Sequence, residues 1–256
     1  MESLVEKWLR SGVEQGDTLL LHSNIMRTLV ESSRSGFQIG PLDVLESFLR
    51  AIGPEGTLLL PLFNFDFTCG IDFNIKTSPS RMGALTEAGR LHKDAVRTGH
   101  PIYSFAAIGH KSSEFKDIDN KSGYGEDSPF GILRKLNGKI ASLDLDDQQC
   151  MTYYHHIEEM KGIDYRYFKT FKGNYFDWNG NVEEKSYSLF VRNLDLGVKT
   201  SVNPAGELLW KSGLYKGFRP NTDTGLRVIK ATEMFDFVGE LIDANKALGN
   251  LYTLEK

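Results

Sequence analysis

The sequence predicts an α/β fold: a largely parallel central sheet with helices on both faces, plus a smaller antiparallel region after residue 162. Three observations carry this. Two short apolar runs, Leu19-Leu20-Leu21 and Leu58-Leu59-Leu60, each follow turn residues (Gly16-Asp17 and Gly53-Pro54) and have the length of buried strands. Between them, Gly40-Pro41 opens a helix whose Leu42, Leu45, Leu49 and Ile52 fall on one face, so the three segments read as a βαβ unit with parallel strands. Beyond Gly162 the pattern changes, and an Asn179-Gly180 turn between YFDW and the alternating EEKSYSLFV marks an antiparallel hairpin.

The remaining elements follow in order. Residues 4–10 form a short helix, and the strand ending at His22-Ser23 places both residues where open α/β sheets collect ligands. At that position His22 is either a satisfied core histidine or a site residue. Arg27 to Gly40 is polar and Ser/Gly-rich, a loop whose amides and hydroxyls can meet phosphate. Ser80 caps a helix reaching about His92, and Gly99-His100-Pro101 turns the chain into a strand from Ile102 to Ile108. Ser128-Pro129 opens a further helix, Lys139–Leu145 is a strand, and from Thr232 an amphipathic helix carries Met234, Phe237, Val238, Leu241 and Ile242 on one face.

At 256 residues, 40% hydrophobic and 25% charged, the chain reads as one domain, 1–256, in which 163–230 is an inserted lid-like substrate subregion. A net charge of −4 argues against nucleic acid as a partner. No apolar run approaches the roughly 20 residues of a membrane span, and MESLVEKWLR lacks a signal peptide's apolar centre, so a cytoplasmic location is expected. Cys69 and Cys150 give no disulfide framework. The oligomeric state, a homo-oligomer included, stays open.

The stretch most suggestive of chemistry is Cys150–Gly162, CMTYYHHIEEMKG. Helical spacing pairs His155 with Glu158 and His156 with Glu159, and puts Thr152 on the His155 face. A hydroxyl, an imidazole and an orienting carboxylate on one stripe suit proton removal from a nucleophile. Two other readings compete: solvated surface pairs, and a zinc site. Adjacent histidines point about 100° apart on a helix, which disfavours their sharing one ion. Cys150 is a rival nucleophile, but its acidic approach, DLDDQQ, does not favour a thiolate.

Five blocks in this order resemble the aminoglycoside 3-N-acetyltransferase family, with its antibiotic N-acetyltransferase fold, over most of residues 4–160: GDTLLLHSN; GPLDVLESFLRAIGPEGTLLLP; SRMGALTEAGR with RTGHPIYSFAAIGH; EDSPFGIL; and TYYHHIEE. The resemblance implies a coenzyme A-dependent N-acyltransferase that moves an acetyl or longer acyl group from acyl-CoA to a primary amine of an amino sugar, without a metal. The family's T-x-x-H-x-x-E maps onto Thr152, His155 and Glu158, leaving His156 and Glu159 as bystanders. His155 would be the base, Glu158 would orient it, and Thr152 would donate to the oxyanion. For coenzyme A it points to Ser23, Arg81, Met82, Gly83, Ser104 and Phe105, and charge alone adds Arg27 and Arg34 as phosphate partners.

The acceptor is less determined. Asp144, Asp146 and Asp147 can line an acidic groove for a polycationic antibiotic, whereas Arg166, Lys169, Lys172 and Arg219 with their aromatic neighbours suit a nucleotide-linked amino sugar, the reading slightly preferred here. Two further classes remain: a hydrolase using the same His and Glu on water, and a coenzyme A-binding member without turnover.

Overall fold

The computed structural model describes residues 2–150 and 152–255. The N-terminal part runs α1 (Leu4–Arg10), β1 (Thr18–Ser23), α2 (Met26–Arg34), α3 (Pro41–Ile52), β2 (Thr57–Pro61), β3 (Phe73–Asn74), α4 (Ala84–Arg90), β4 (Val96–Arg97) and β5 (Phe105–Gly109). The middle comprises α5 (Pro129–Lys135), β6 (Lys139–Leu143), α6 (Asp147–Cys150) and α7 (Tyr153–Lys161). Then follow β7 (Arg166–Phe176), β8 (Val182–Arg192), β9 (Val198–Thr200), α8 (Asn203–Lys211), β10 (Lys216–Gly217), β11 (Leu226–Lys230), α9 (Ala231–Asp243) and β12 (Tyr252–Leu254).

Seven strands form the central sheet in the order β10-β11-β6-β1-β2-β5-β4. The βαβ unit is present, with β1 parallel to β2, and β6 adds a second parallel pair on the other side of β1. The rest is antiparallel: β5 to β2, β4 to β5, β11 to β6 and β10 to β11. The sheet is therefore mixed, which corrects the largely parallel expectation. The reason is local. FAAIG and LRVIK are almost continuously buried, like the parallel strands beside them, and strand burial on both faces carries no information about direction.

Helices do cover both faces, and the triple leucines show why. Side chains alternate along a strand, so Leu19 and Leu21 face one core with Val44, Leu45 and Phe48 of α3, while Leu20 faces another with Phe130, Tyr153, Ile157 and Met234. In the first core Trp8 of α1 stacks on Phe48 with ring centroids 4.5 Å apart and donates its indole N–H to Ser47 Oγ at 2.8 Å. Leu42, expected on the buried face of α3, is exposed.

Some boundaries move. Residues 26–34 are helical rather than loop. The helix expected from Ser80 starts at Ala84, the strand expected from Ile102 starts at Phe105, and β6 stops at Leu143 because Asp144 takes a positive φ of 50°. The expected hairpin exists: β7 and β8 pair in register from Arg166↔Arg192 to Phe176↔Val182 around the Asp177–Asn181 turn. Within 163–230, β7 and β8 lie in a separate three-stranded sheet with β3, while β10 and β11 belong to the central one.

Candidate active site

α7 begins just beyond the carboxyl end of β6, after the short α6. Its inward face, Tyr153, Tyr154 and Ile157, is fully buried, and Tyr153 donates its hydroxyl to Ala231 O at the start of α9. That anchoring fixes the rotation of the helix and turns His155 to a cleft of about 250 Å³ lined by Asp147, Gln148, Gln149, Cys150, Thr152, His155, Thr200 and Val202. Thr152 sits at the N-cap position of α7, so the two residues expected to act together share one wall.

His155 Nδ1 lies 2.7 Å from Glu158 Oε2. The imidazole is 19% exposed and the carboxylate 0%, so this is no solvated surface pair. With the carboxylate accepting from Nδ1–H, the neutral ring keeps its lone pair on Nε2. Tyr124 packs edge-on to the imidazole at 5.4 Å and restricts its tilt. Glu158 has two further partners. Tyr165 donates its hydroxyl to Oε1 at 3.0 Å, and Arg166 Nε stands 2.7 Å from Oε2 with its N–H off the line, a charge contact rather than an aligned hydrogen bond. Burial, and then the Arg166 charge, lower the His155 pKa below the usual imidazole value, against the pull of Glu158. The ring is therefore neutral near pH 7.

Helical spacing does not reach Tyr165 and Arg166, and charge alone assigns Arg166 to a nucleotide-linked acceptor rather than to this site. The structure engages its guanidinium entirely inside the fold, with Glu158, Phe190 O and Thr200 Oγ1. A signal existed in Gly162, which ends α7 in the left-handed conformation (φ 60°) and donates its N–H to Glu159 O. Such a cap reverses the chain, returning the residues just after it onto the last turns of the helix. His156 and Glu159 point elsewhere: His156 Nδ1 bonds Tyr124 O at 2.7 Å, and Glu159 accepts from Ser122 Oγ at 2.6 Å.

The three aspartates separate. Asp144 is outside the cleft lining and its carboxylate meets Arg27 Nε and Nη2 at 2.9 and 3.0 Å and the Asn221 N–H at 2.9 Å, which also removes Arg27 as a free phosphate partner. Asp147 reaches the cleft wall, but Oδ1 is held by Arg227 Nη2 at 2.9 Å and the Tyr215 hydroxyl at 2.6 Å. Asp146 caps Gln149 N and accepts from Asn203 Nδ2. Cys150 lies in the floor, 2.9 Å from Ser142 Oγ, and burial pushes its thiol up to about 12, which removes it as a nucleophile. Among the described residues no group of three His, Cys, Asp or Glu side chains could hold a metal ion.

The residues expected at coenzyme A also divide. Phe105 is buried at 0% between Phe63 and Phe130, and Ser104, equally buried, accepts from Arg97 Nη2 at 3.2 Å; neither presents a surface to a ligand. Ser23 is half-buried at the end of β1, Met82 is half-buried, and Arg81 and Gly83 are exposed in the turn before α4, with Arg81 paired to Asp66 at 3.0 Å. Arg34 is exposed beside a separate groove between α1 and α2. His22 is a buried core histidine whose pKa burial lowers to about 3.

Comparison with known proteins places the chain in a family. The sequence profile described as aminoglycoside 3-N-acetyltransferase matches residues 29–243. Among curated proteins, the SPbeta prophage-derived aminoglycoside N(3')-acetyltransferase-like protein YokD of Bacillus subtilis (strain 168) is 25% identical over 174 residues, covering 58% of this chain and 62% of that protein. Aminoglycoside N(3)-acetyltransferase IV of a Salmonella species is 27% identical over 168 residues, covering 63% and 59%. The matched stretch thus spans about three-fifths of the length of these relatives. Among solved structures, AAC-IIIb in binary complex with CoASH superposes with a TM-score of 0.79 at 20% identity over 95% of this chain and 96% of that one. AAC-VIa bound to sisomicin superposes at 0.75 with 22% identity over 96% and 97%. With most of its length matched by the family profile, the chain belongs to the aminoglycoside 3-N-acetyltransferase family.

Proposed function

We propose that the protein transfers an acetyl group from acetyl-CoA to a primary amine of an aminoglycoside, with His155 as base. The observation that carries this is the buried Glu158 carboxylate at 2.7 Å from His155 Nδ1, on a neutral imidazole that lines an open cleft. A sugar ammonium must lose a proton before it can attack. Nε2 takes that proton, the nitrogen bonds to the thioester carbon, and the developing oxyanion lies on the Thr152 side of the cleft. Collapse breaks the C–S bond, the imidazolium returns its proton to the departing sulfur, and the nitrogen gives its second proton to solvent, leaving amide and free thiol. Glu158 holds the ring and stabilises its cation during the transfer.

Two observations favour an aminoglycoside over the nucleotide-linked amino sugar preferred from sequence. Arg166 is occupied by Glu158, and Arg219 forms a bidentate pair with Glu207, so two of the four cations invoked for a diphosphate are already neutralised. Among the described residues lining the cleft none is Lys or Arg. Solved relatives bound to CoASH and to sisomicin support both substrates. For acetyl-CoA, exposed Arg81 and Gly83, half-buried Met82 between them and Ser23 remain the candidate contacts, and in the same reading the β7–β8 hairpin belongs to a lid over the acceptor.

The test is thiol release from acetyl-CoA with a panel of aminoglycosides and nucleotide-linked amino sugars, with products identified by mass spectrometry. Amine-dependent release with an aminoglycoside, giving the mono-acetylated product, is expected. Release that ignores the amine would favour the hydrolase, and coenzyme A binding without release from any amine would favour the non-catalytic member; either outcome overturns the proposal.

A further inference from the structure

We infer that Arg166 is a positioning residue for the proposed transfer, its guanidinium fixing the Glu158 carboxylate against His155 and balancing that carboxylate's charge. The inference rests on the reading of His155 as base. One oxygen, Glu158 Oε2, meets both His155 Nδ1 and Arg166 Nε, each at 2.7 Å. The guanidinium is itself tied down from two other strands: Nη1 donates to Phe190 O of β8 at 3.0 Å and Nη2 to Thr200 Oγ1 of β9 at 3.1 Å. Thr200 also lines the cleft. Arg166 thus joins the dyad, the root of the β7–β8 hairpin and a cleft-lining residue of β9 in one contact set.

The electrostatic consequence is specific. A buried carboxylate alone beside an imidazole favours the imidazolium, and a histidine already carrying a proton is no base. Among the described residues, the titratable and charged groups around His155 are Glu158 from its own helix, Arg166 from β7 with Tyr165 just before it, Tyr124 from the segment before α5, and Asp147 and Cys150 from α6 in the lining of the same cleft. Of these, Arg166 is the cation. Its charge opposes protonation of the ring, in the same direction as burial. A purely structural arginine would hold β7 to α7 without altering when His155 titrates.

The experiment follows the His155 Cε1–H resonance against pH in labelled protein, assigned by its loss in His155→Ala, for the wild type, Arg166→Lys and Arg166→Gln. Arg166→Gln is expected to raise the His155 midpoint by about one unit or more, with the acid limb of kcat/KM for amine acetylation rising alongside and KM for acetyl-CoA unchanged. Arg166→Lys, which keeps the charge, is expected to stay near the wild-type midpoint. An unchanged midpoint in Arg166→Gln would overturn the inference. Should that variant not fold, the same comparison is made between Glu158→Gln and Glu158→Gln/Arg166→Gln, where equal midpoints overturn it. The resonance reads the imidazole directly, so failure of every amine to release thiol would remove the transferase reading while leaving this test intact.

Discussion

Replacing Glu158 by Ala strikes the most constrained charge in the site, and its cost can be worked from the geometry. The carboxylate is 0% exposed and the Arg166 side chain 5%. At 2.7 Å and an effective dielectric of 20, the Coulomb attraction is about 6 kcal/mol, much of it offset by the desolvation of both ions. Deleting one partner leaves the other's desolvation uncompensated, which typically costs about 3–5 kcal/mol. The Tyr165 hydroxyl also loses its acceptor. Glu158→Ala is therefore expected to unfold about 3–5 kcal/mol more easily in urea, a midpoint lower by about 1–2 M at a slope near 3 kcal/mol/M. Glu158→Gln keeps the shape and an acceptor for the Tyr165 hydroxyl but still leaves the Arg166 charge uncompensated, so it should lose most of the same amount. An alanine variant unfolding within about 0.5 kcal/mol of wild type would refute the reasoning, because Arg166 would then be compensated by something other than Glu158.

Other consequences are measurable separately. Gly206 of α8 packs directly against the Asp147 carboxylate, so Gly206→Ala must displace a side chain already bonded to Arg227 and Tyr215; a loss of about 1–3 kcal/mol in thermal or urea unfolding is expected. Of the two thiols, exposed Cys69 should react with a thiol reagent at pH 8 while Cys150, buried with its pKa pushed up to about 12, reacts only on unfolding, so native Cys69→Ser should show no fast equivalent. His22 and His100, both lowered by burial from 6.5 to about 3, stay neutral in the fold while the unfolded chain protonates them. Because the unfolded state binds more protons in that window, stability is full above pH 6.5 and falls as pH drops towards 3, by about 1.4 kcal/mol per pH unit for each histidine; urea midpoints across that range, falling less steeply in a His22/His100 double substitution that still folds, check it, the remaining slope belonging to other groups such as His155 and His156.

How far the sequence could be read depended on whether a feature was local. The triple leucines, the Gly40-Pro41 helix start and the Asn179-Gly180 turn are set by near neighbours, and each appears where expected. The pairing of His155 with Glu158 was legible for the same reason, being a matter of helical spacing. Strand direction was not. Phe105–Gly109 and Leu226–Lys230 are buried in the manner of parallel strands, and their reversed sense is decided by the path of the connecting chain. Charge was the poorest guide. Arg27, Asp144, Asp147 and Arg166 looked like free binding groups, yet each meets a partner far away in sequence or across a reversed chain: Arg27 with Asp144, Asp147 with Arg227, Arg166 with Glu158. A buried ion pair cannot be told from two solvated charges until the fold brings its halves together.

The central claim is that His155 Nε2 removes the amine proton during acetyl transfer. The measurement that tests it most directly is kcat for amine-dependent thiol release from acetyl-CoA at pH 7.5, in wild type and His155→Gln, with matched folding and matched acetyl-CoA binding. Loss of a positioned base predicts a fall of about 10²–10⁴, equivalent to about 3–5 kcal/mol of barrier, with partial recovery at high pH, where the amine loses its proton without help. Near-wild-type turnover in His155→Gln with an accepted aminoglycoside would contradict the account.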